Sequence, residues 1–296
     1  MKNLFDRRFH PVRFDLAAMD YQGRVEAERF AEGEVLQVTA DSLAVRPEPR
    51  PDRSIDTEAL CGEWVTVYEK TAEGWAWGQL DTDGYVGWFS SDGLGPVTAA
   101  THRVRALRTY RYPGPDLKFP PLGFLSIGSK VTVVGEAETR GLKYAVLSDG
   151  SAVVAKHLVG LDHVESDWVR VAEEMLGTPY LWGGRTSVGL DCSALVQLAA
   201  QAGGIDVPRD SDIQEQSAGH EIPHEDPSAF ERGDLVFWKG HVGIVSGPNR
   251  LLHANGFTMT VAYEPLDSAI DRIAATEWGA MTGARRLEKP AESVQA

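Results

Sequence analysis

Apolar and polar residues alternate in short runs through the first hundred residues. EWVTVYEK, GWAWGQLD and GYVGWFS, with VTADSLAVRPEPR before them, are rich in Val, Thr, Tyr and Trp, and Pro47, Pro49 and Pro51 share one loop. Such runs predict β-strands, and their close spacing predicts a small barrel or sandwich. The next sixty residues repeat the scheme. GSKVTVVGEAE, from Gly128, matches GEWVTVYEKTAE, from Gly62, at an offset of 66 residues. RVRALRTYRYPGPD likewise matches LAVRPEPRPD, and LKYAVLSDGSAVVAKHLVG matches WAWGQLDTDGYVGWFSSDGLG. A single period repeated once predicts two tandem copies of one fold rather than a solenoid.

The pattern changes near Ser166. SDWVRVAEEMLG sets Val169, Val171, Ala172, Met175 and Leu176 at helical spacing, with Ser166 as the expected N-cap and Gly177 and Pro179 as the stop. After a Gly-rich loop, CSALVQLAAQAGG predicts a second helix ending at Gly203–Gly204. A polar stretch that includes GHEIPHE reads as loop. GDLVFWK, HVGIVSG, RLLHANG and MTVAYEP then read as strands, with GARRLEK as a fifth candidate. Helices followed by an antiparallel run indicate an α+β domain. The expected organisation is a leader at 1–34, one β-module at 35–98, a second at 99–162, an α+β domain at 163–290 and a tail at 291–296.

Composition narrows the class. The 296 residues are 43% hydrophobic and 24% charged, ordinary for a globular chain. MKNLFDRRFHPVRFDLAAMD lacks the continuous apolar core of a secretory signal, so a cytoplasmic protein is expected. Two cysteines, Cys61 and Cys192, make no disulfide framework. Cys61, within EALCGEWVTV, reads as a small buried hydrophobe. Net charge is −14, unevenly spread. Residues 1–160 hold 19 Lys and Arg against 22 Asp and Glu, or −3, whereas residues 161–296 hold 10 against 21, or −11. That acidity argues against nucleic acid and anionic membranes as partners and suits a substrate bearing an amine, although it also serves solubility alone.

Candidate chemistry lies in the third part. Cys192 opens a predicted helix behind the Gly-rich loop, where exposed N–H groups favour a thiolate and can hold an oxyanion. The position alone fits a buried structural cysteine equally well. His241 opens one strand and His253 lies in the next, so a hairpin can set them side by side. An imidazole beside a thiol accepts its proton and returns it to a leaving amine, and a third group fixes the imidazole's tautomer. No metal or cofactor pattern is present: His220 and His224 in GHEIPHE are interrupted by Pro223, and no HExxH, GxGxxG or P-loop occurs.

GTPYLWGGRTSVGLDCSALVQ, PRDSDIQ, GDLVFWKGHVGIV and LLHANG, in that order over about residues 165–287, resemble the NlpC-type papain-fold cysteine peptidases. The two β-modules resemble bacterial SH3-like domains; GYVGWF carries the likeness, and SAVVAKHL in the second copy has lost the aromatics. The resemblance implies an α+β papain-like domain behind two SH3-like barrels. It implies Cys192 as nucleophile, His241 as base, His253 as third member and the Tyr180 hydroxyl near the oxyanion, although Tyr180 also reads as a half-buried core aromatic.

The whole arrangement is similar to the γ-D-glutamyl-L-diamino-acid endopeptidases of murein peptide recycling. A subgroup without a secretion signal cuts short peptides that begin with a free L-Ala. By that likeness Asp210 and Ser211 receive the amine, Ser193 and Trp182 line the pocket, and Glu63 and Tyr85 of the first module face the substrate. Read as residues alone, Asp210 is also a helix cap or turn residue, Glu63 a surface acid and Tyr85 a barrel aromatic. The expected partner is a murein-derived L-Ala-γ-D-Glu-diamino-acid peptide. Rivals are an amidase or acyltransferase on the same Cys–His fold and a non-catalytic wall-binding protein. Neither the diamino acid nor the oligomeric state is legible.

Overall fold

A computed structural model describes residues 5–288. The tail expected at 291–296 lies outside them. The chain divides into two compact units, one ending at Leu161 and one beginning at Asp162.

The first unit holds two small β-barrels. In the first, strands β1 (Glu34–Val38), β2 (Ser42–Val45), β3 (Thr57–Leu60), β4 (Trp64–Lys70), β5 (Trp75–Leu80), β6 (Val86–Ser90) and β7 (Leu94–Gly95) form a five-stranded sheet of order β6-β5-β4-β1-β7 and a β2–β3 hairpin. Val38, Val45, Val65 and Phe89 close its core. The second barrel has strands β8 (His102–Val104), β9 (Arg108–Arg111), β10 (Gly123–Ser126), β11 (Lys130–Val131), β12 (Val133–Thr139), β13 (Leu142–Leu147), β14 (Ala152–Val154) and β15 (Leu158–Gly160). Val104, Leu125, Leu147 and Val153 fill it.

The sequence repeat is a repeat of hydrogen bonds. Gly62 N–H donates to Val38 O and, 66 residues on, Gly128 N–H donates to Val104 O. Glu63 N–H to Leu60 O matches Ser129 N–H to Ser126 O in the same way. Both glycines have φ near +85° (84° and 87°), a backbone region that a side chain disfavours. The two barrels are locked together. Lys130 N–H donates to Cys61 O at 2.8 Å, and Cys61 packs against the second core, where burial pushes its thiol up to about 11. The leader packs on the first barrel: Leu16 is buried among Trp77, Val86 and Trp88, and Val86 N–H donates to Arg8 O.

The second unit is α+β. Helix α1 (Trp168–Glu173) is capped by Asp167, whose side chain accepts from Arg170 N–H, one residue later than the Ser166 expected from the pattern. A two-residue hairpin, β16 (Arg185–Thr186) with β17 (Gly189–Leu190), leads into α2 (Cys192–Ala202) and then α3 (Ser211–Ser217). The antiparallel sheet comprises β18 (His220–Ile222), β19 (Asp234–Trp238), β20 (His241–Gly247), β21 (Arg250–Asn255), β22 (Thr260–Pro265) and β23 (Gly283–Arg286), in the order β18-β23-β19-β20-β21-β22. Helix α4 (Leu266–Ala274) follows β22 and buries Leu266, Ala269 and Ile273 against Val236, Val245 and Leu251 of the sheet. His220–Ile222, read from sequence as loop, is an edge strand because its backbone finds the open side of β23. Among the described residues no helix is long and apolar enough to cross a membrane.

Candidate active site

Cys192 is the first residue of α2, and it is buried. Asp191, the N-cap, accepts from Ala194 N–H at 2.8 Å and from Gly183 N–H at 3.1 Å. Arg209, fully buried, donates to both Asp191 oxygens at 2.9 and 2.7 Å and to Ser193 Oγ at 2.9 Å. The fork geometry suits a planar guanidinium on a carboxylate, and removing either partner would strand a buried charge. The helix start that presents the sulfur is therefore bolted to the loop before it and to the segment before α3. Sequence reasoning missed this pair, although both residues stand in quoted motifs, DCS and PRDSD. Nothing local says that they meet.

His241 and His253 do meet. His241 Nε2 lies 3.0 Å from His253 Nδ1, with ring centroids 5.2 Å apart. The pairing of β20 with β21 runs through Ile244↔Leu252 and Val245↔Leu251, and its continuation makes the two histidines diagonal neighbours on one face. Trp238, opposite His241 in the β19 register, lies against its ring at 5.7 Å. The sulfur of Cys192 is approached by the backbone N–H of Val242, the residue after His241, and by that of Ser193. This brings the thiol to the His241 end of β20, and with Nε2 engaged, Nδ1 is the ring nitrogen left for it.

Burial dominates the electrostatics. It pushes the Cys192 thiol up to about 12, helped by the adjacent Asp191 charge and opposed by the N–H groups of Val242 and Ser193 and by Arg209. The lowering expected from a helix start is thus outweighed by burial. His241 is lowered to about 3, first by burial and then by His253 and Arg272, with Glu264 and Asp191 acting the other way. His253 is lowered to about 3 by burial and then by Arg272. At rest the Cys192 thiol and the His241 and His253 imidazoles are therefore all neutral. Tyr180 is half-buried, and burial and the neighbouring Cys192 both push its hydroxyl up.

The remaining candidates are distributed as follows. Trp182 is exposed on the Gly-rich loop. Ser193 is buried, its hydroxyl donating to Asp191 Oδ1 and accepting from Arg209. Asp210 is the N-cap of α3, its carbonyl accepting from Ile213 and Gln214, and Ser211 opens that helix. Glu63 and Tyr85 belong to the first unit: the Glu63 carboxylate accepts from Leu60 N–H at 2.7 Å, and Tyr85 sits in the first barrel's core beside Phe9.

Comparison with known proteins fits this architecture. The pattern of the bacterial dipeptidyl-peptidase SH3 domain matches residues 45–94, and that of the NlpC/P60 family matches residues 177–276. The chain is 29% identical to a gamma-D-glutamyl-L-lysine dipeptidyl-peptidase of Bacillus subtilis over 69% of its own length and 73% of that protein's. It is 32% identical to dipeptidyl-peptidase 6 of Lysinibacillus sphaericus, but over only 34% of this chain and 36% of that protein. The crystal structure of an NlpC/P60 family protein from Bacillus cereus superposes with a TM-score of 0.69, covering 87% of this chain and all of that one at 19% identity, and so shares the fold. The chain is a hydrolase that carries an NlpC/P60 domain of papain-like fold behind an SH3-like N-terminal domain.

Proposed function

We propose that the protein is a cysteine endopeptidase that cuts the γ-D-Glu–L-diamino-acid bond of short murein peptides bearing a free N-terminal L-Ala, acting inside the cell. The observation that carries the reading is the coupled imidazole pair, 3.0 Å apart, at the end of the strand whose Val242 N–H reaches the Cys192 sulfur. A thiol at a rigid helix start beside an imidazole with one free nitrogen is suited to acyl transfer.

In this reading Cys192 attacks the γ-carbonyl carbon while its proton passes to His241 Nδ1. The backbone N–H of Cys192 and the Tyr180 hydroxyl hold the oxyanion. Collapse of the adduct breaks the C–N bond, and the departing amine takes that proton. His241 then deprotonates a water, which opens the thioester and releases L-Ala-γ-D-Glu and the thiol. Neutral resting partners fit this sequence, since the proton moves as the bond forms. Asp210 and Ser211 receive the free ammonium, and Trp182 and Ser193 flank the site. The relatives named as dipeptidyl-peptidases, one of them for γ-D-glutamyl-L-lysine, support this substrate class.

The test is steady-state kinetics on L-Ala-γ-D-Glu-L-Lys and its diaminopimelate counterpart, each free or N-acetylated. The free peptides are cleaved, C192A abolishes turnover, and acetylation lowers kcat/KM by about 100-fold, because a carboxylate built for an ammonium is left desolvated. Equal rates on free and acetylated peptides sink the amine anchor. Acyl transfer to an added amine in place of hydrolysis supports the acyltransferase reading instead.

A further inference from the structure

The His241–His253 pair does not end at His253. Glu264 lies on β22, where His253 pairs with Ala262 and Leu251 pairs with Glu264. Glu264 is thus diagonal to His253 on the same sheet face. Its Oε2 stands 3.2 Å from His253 Nε2. The contact is close but bent, so Nε2 has no aligned hydrogen-bond partner although His253 is 1% exposed. Arg272, from α4, donates to both oxygens of Glu264, Nε to Oε1 at 2.8 Å and Nη2 to Oε2 at 2.7 Å. The carboxylate is held in one orientation, aimed at the imidazole.

A neutral imidazole has two tautomers, and the hydrogen bond at one nitrogen decides the other. A lone pair on Nε2 facing a carboxylate oxygen at 3.2 Å is repelled, while an N–H there is attracted even off-line. Nε2 therefore keeps the proton and Nδ1 becomes the acceptor. Nδ1 can then accept only from His241 Nε2–H, which leaves the lone pair of His241 on Nδ1. Arg272 has a second effect. Its positive charge, with burial, keeps His253 from taking up a proton, so the carboxylate biases a neutral ring rather than creating an imidazolium.

We infer that Glu264, clamped by Arg272, is a positioning residue that sets the tautomers of His253 and His241 and thereby leaves the basic lone pair of His241 on Nδ1. The inference rests on the cysteine-peptidase reading for its consequence in turnover, but its structural content is separable. In nitrogen-15 NMR of the full-length substrate-free protein at pH 7, the wild type shows His241 protonated at Nε2 and His253 protonated at Nε2. In E264Q the ring signals broaden or shift toward the opposite tautomer. On the tripeptide substrate E264Q lowers kcat by about 10- to 100-fold with KM within two-fold, the size expected for a lost orienting partner. R272M, which keeps the carboxylate but frees it, gives a smaller loss in the same direction, and covers the case in which E264Q does not fold. Wild-type tautomers and kcat in both variants overturn the inference. A wild-type chain that cleaves no murein peptide yet shows these tautomers overturns the function and leaves the positioning intact.

Discussion

The sulfur of Cys192 carries the sharpest departure from residue-level expectation. A cysteine at a helix start suggests an ionised thiol, yet burial and the Asp191 charge outweigh the N–H groups aimed at it, and the thiol is pushed up to about 12. His241 is lowered to about 3, so neither the thiol nor this imidazole is charged at neutral pH. Iodoacetamide at pH 6 should accordingly label Cys192 more slowly than a free thiol, with the rate climbing as pH rises through 7 to 10. Peptide mapping by mass spectrometry reads this, and Cys61, half-buried and with its thiol likewise pushed up, serves as the internal comparison. Faster labelling of Cys192 than of glutathione at pH 6 would show a resting ion pair and remove the neutral-pair picture. The candidates that sequence could name were those in compact motifs, Cys192, His241 and His253 among them, of which the two histidines meet. Arg209, Glu264 and Arg272 escaped because their roles come from partners 18, 11 and 8 positions away, and no spacing rule links a helix-start acid to an arginine beyond the next helix.

Elements were legible where periodicity or turn chemistry was strong. The 66-residue offset identified two copies of one barrel, and the same offset reappears in the glycine turns at Gly62 and Gly128. Helix α2 and strands β19 to β22 stood out as apolar runs. Helix α3, SDIQEQS, did not, since one buried residue in seven makes no visible stripe. Helix α4 follows Pro265 directly, so MTVAYEP was read as a strand with no cue that a helix began. The turn at Gly62 gives an element-level prediction. A Cβ there would stand 2.1 Å from the Lys130 carbonyl oxygen, and φ is +84°. Gly62→Ala combines left-handed strain of about 1–2 kcal/mol with a backbone clash between the barrels. We expect a loss of at least about 2 kcal/mol in the first unit, read as a lower midpoint in urea, with activity per folded molecule retained. A midpoint unchanged from the wild type would mean that the barrel junction yields, and that the locked pairing of the two barrels is not a constraint.

At the scale of the molecule the two units divide the response to acid. His241 and His253 both lie in the second unit, and both are held far below the ordinary histidine value of 6.5. Between about pH 3 and 6.5 the unfolded chain binds protons at these positions and the folded chain does not. Stability therefore rises with pH across that window, is fully present above 6.5, and is lost as pH falls toward 3. At pH 5 each imidazole accounts for on the order of 2 kcal/mol, less to the extent that the pair relaxes together. In the first unit His157, half-buried, is lowered by burial and Lys156. A chain of two units need not unfold in one step, so calorimetry at pH 7.5 and pH 5 separates the effects. The transition of the second unit should fall by several degrees while that of the first moves little. Replacing both histidines, H241N with H253Q, removes the groups that must stay neutral and should flatten the pH dependence of the second transition. An equal acid shift in both transitions, or one that survives the double replacement, would place the acid sensitivity in the carboxylate pairs and not in the imidazoles that the proposed chemistry depends on.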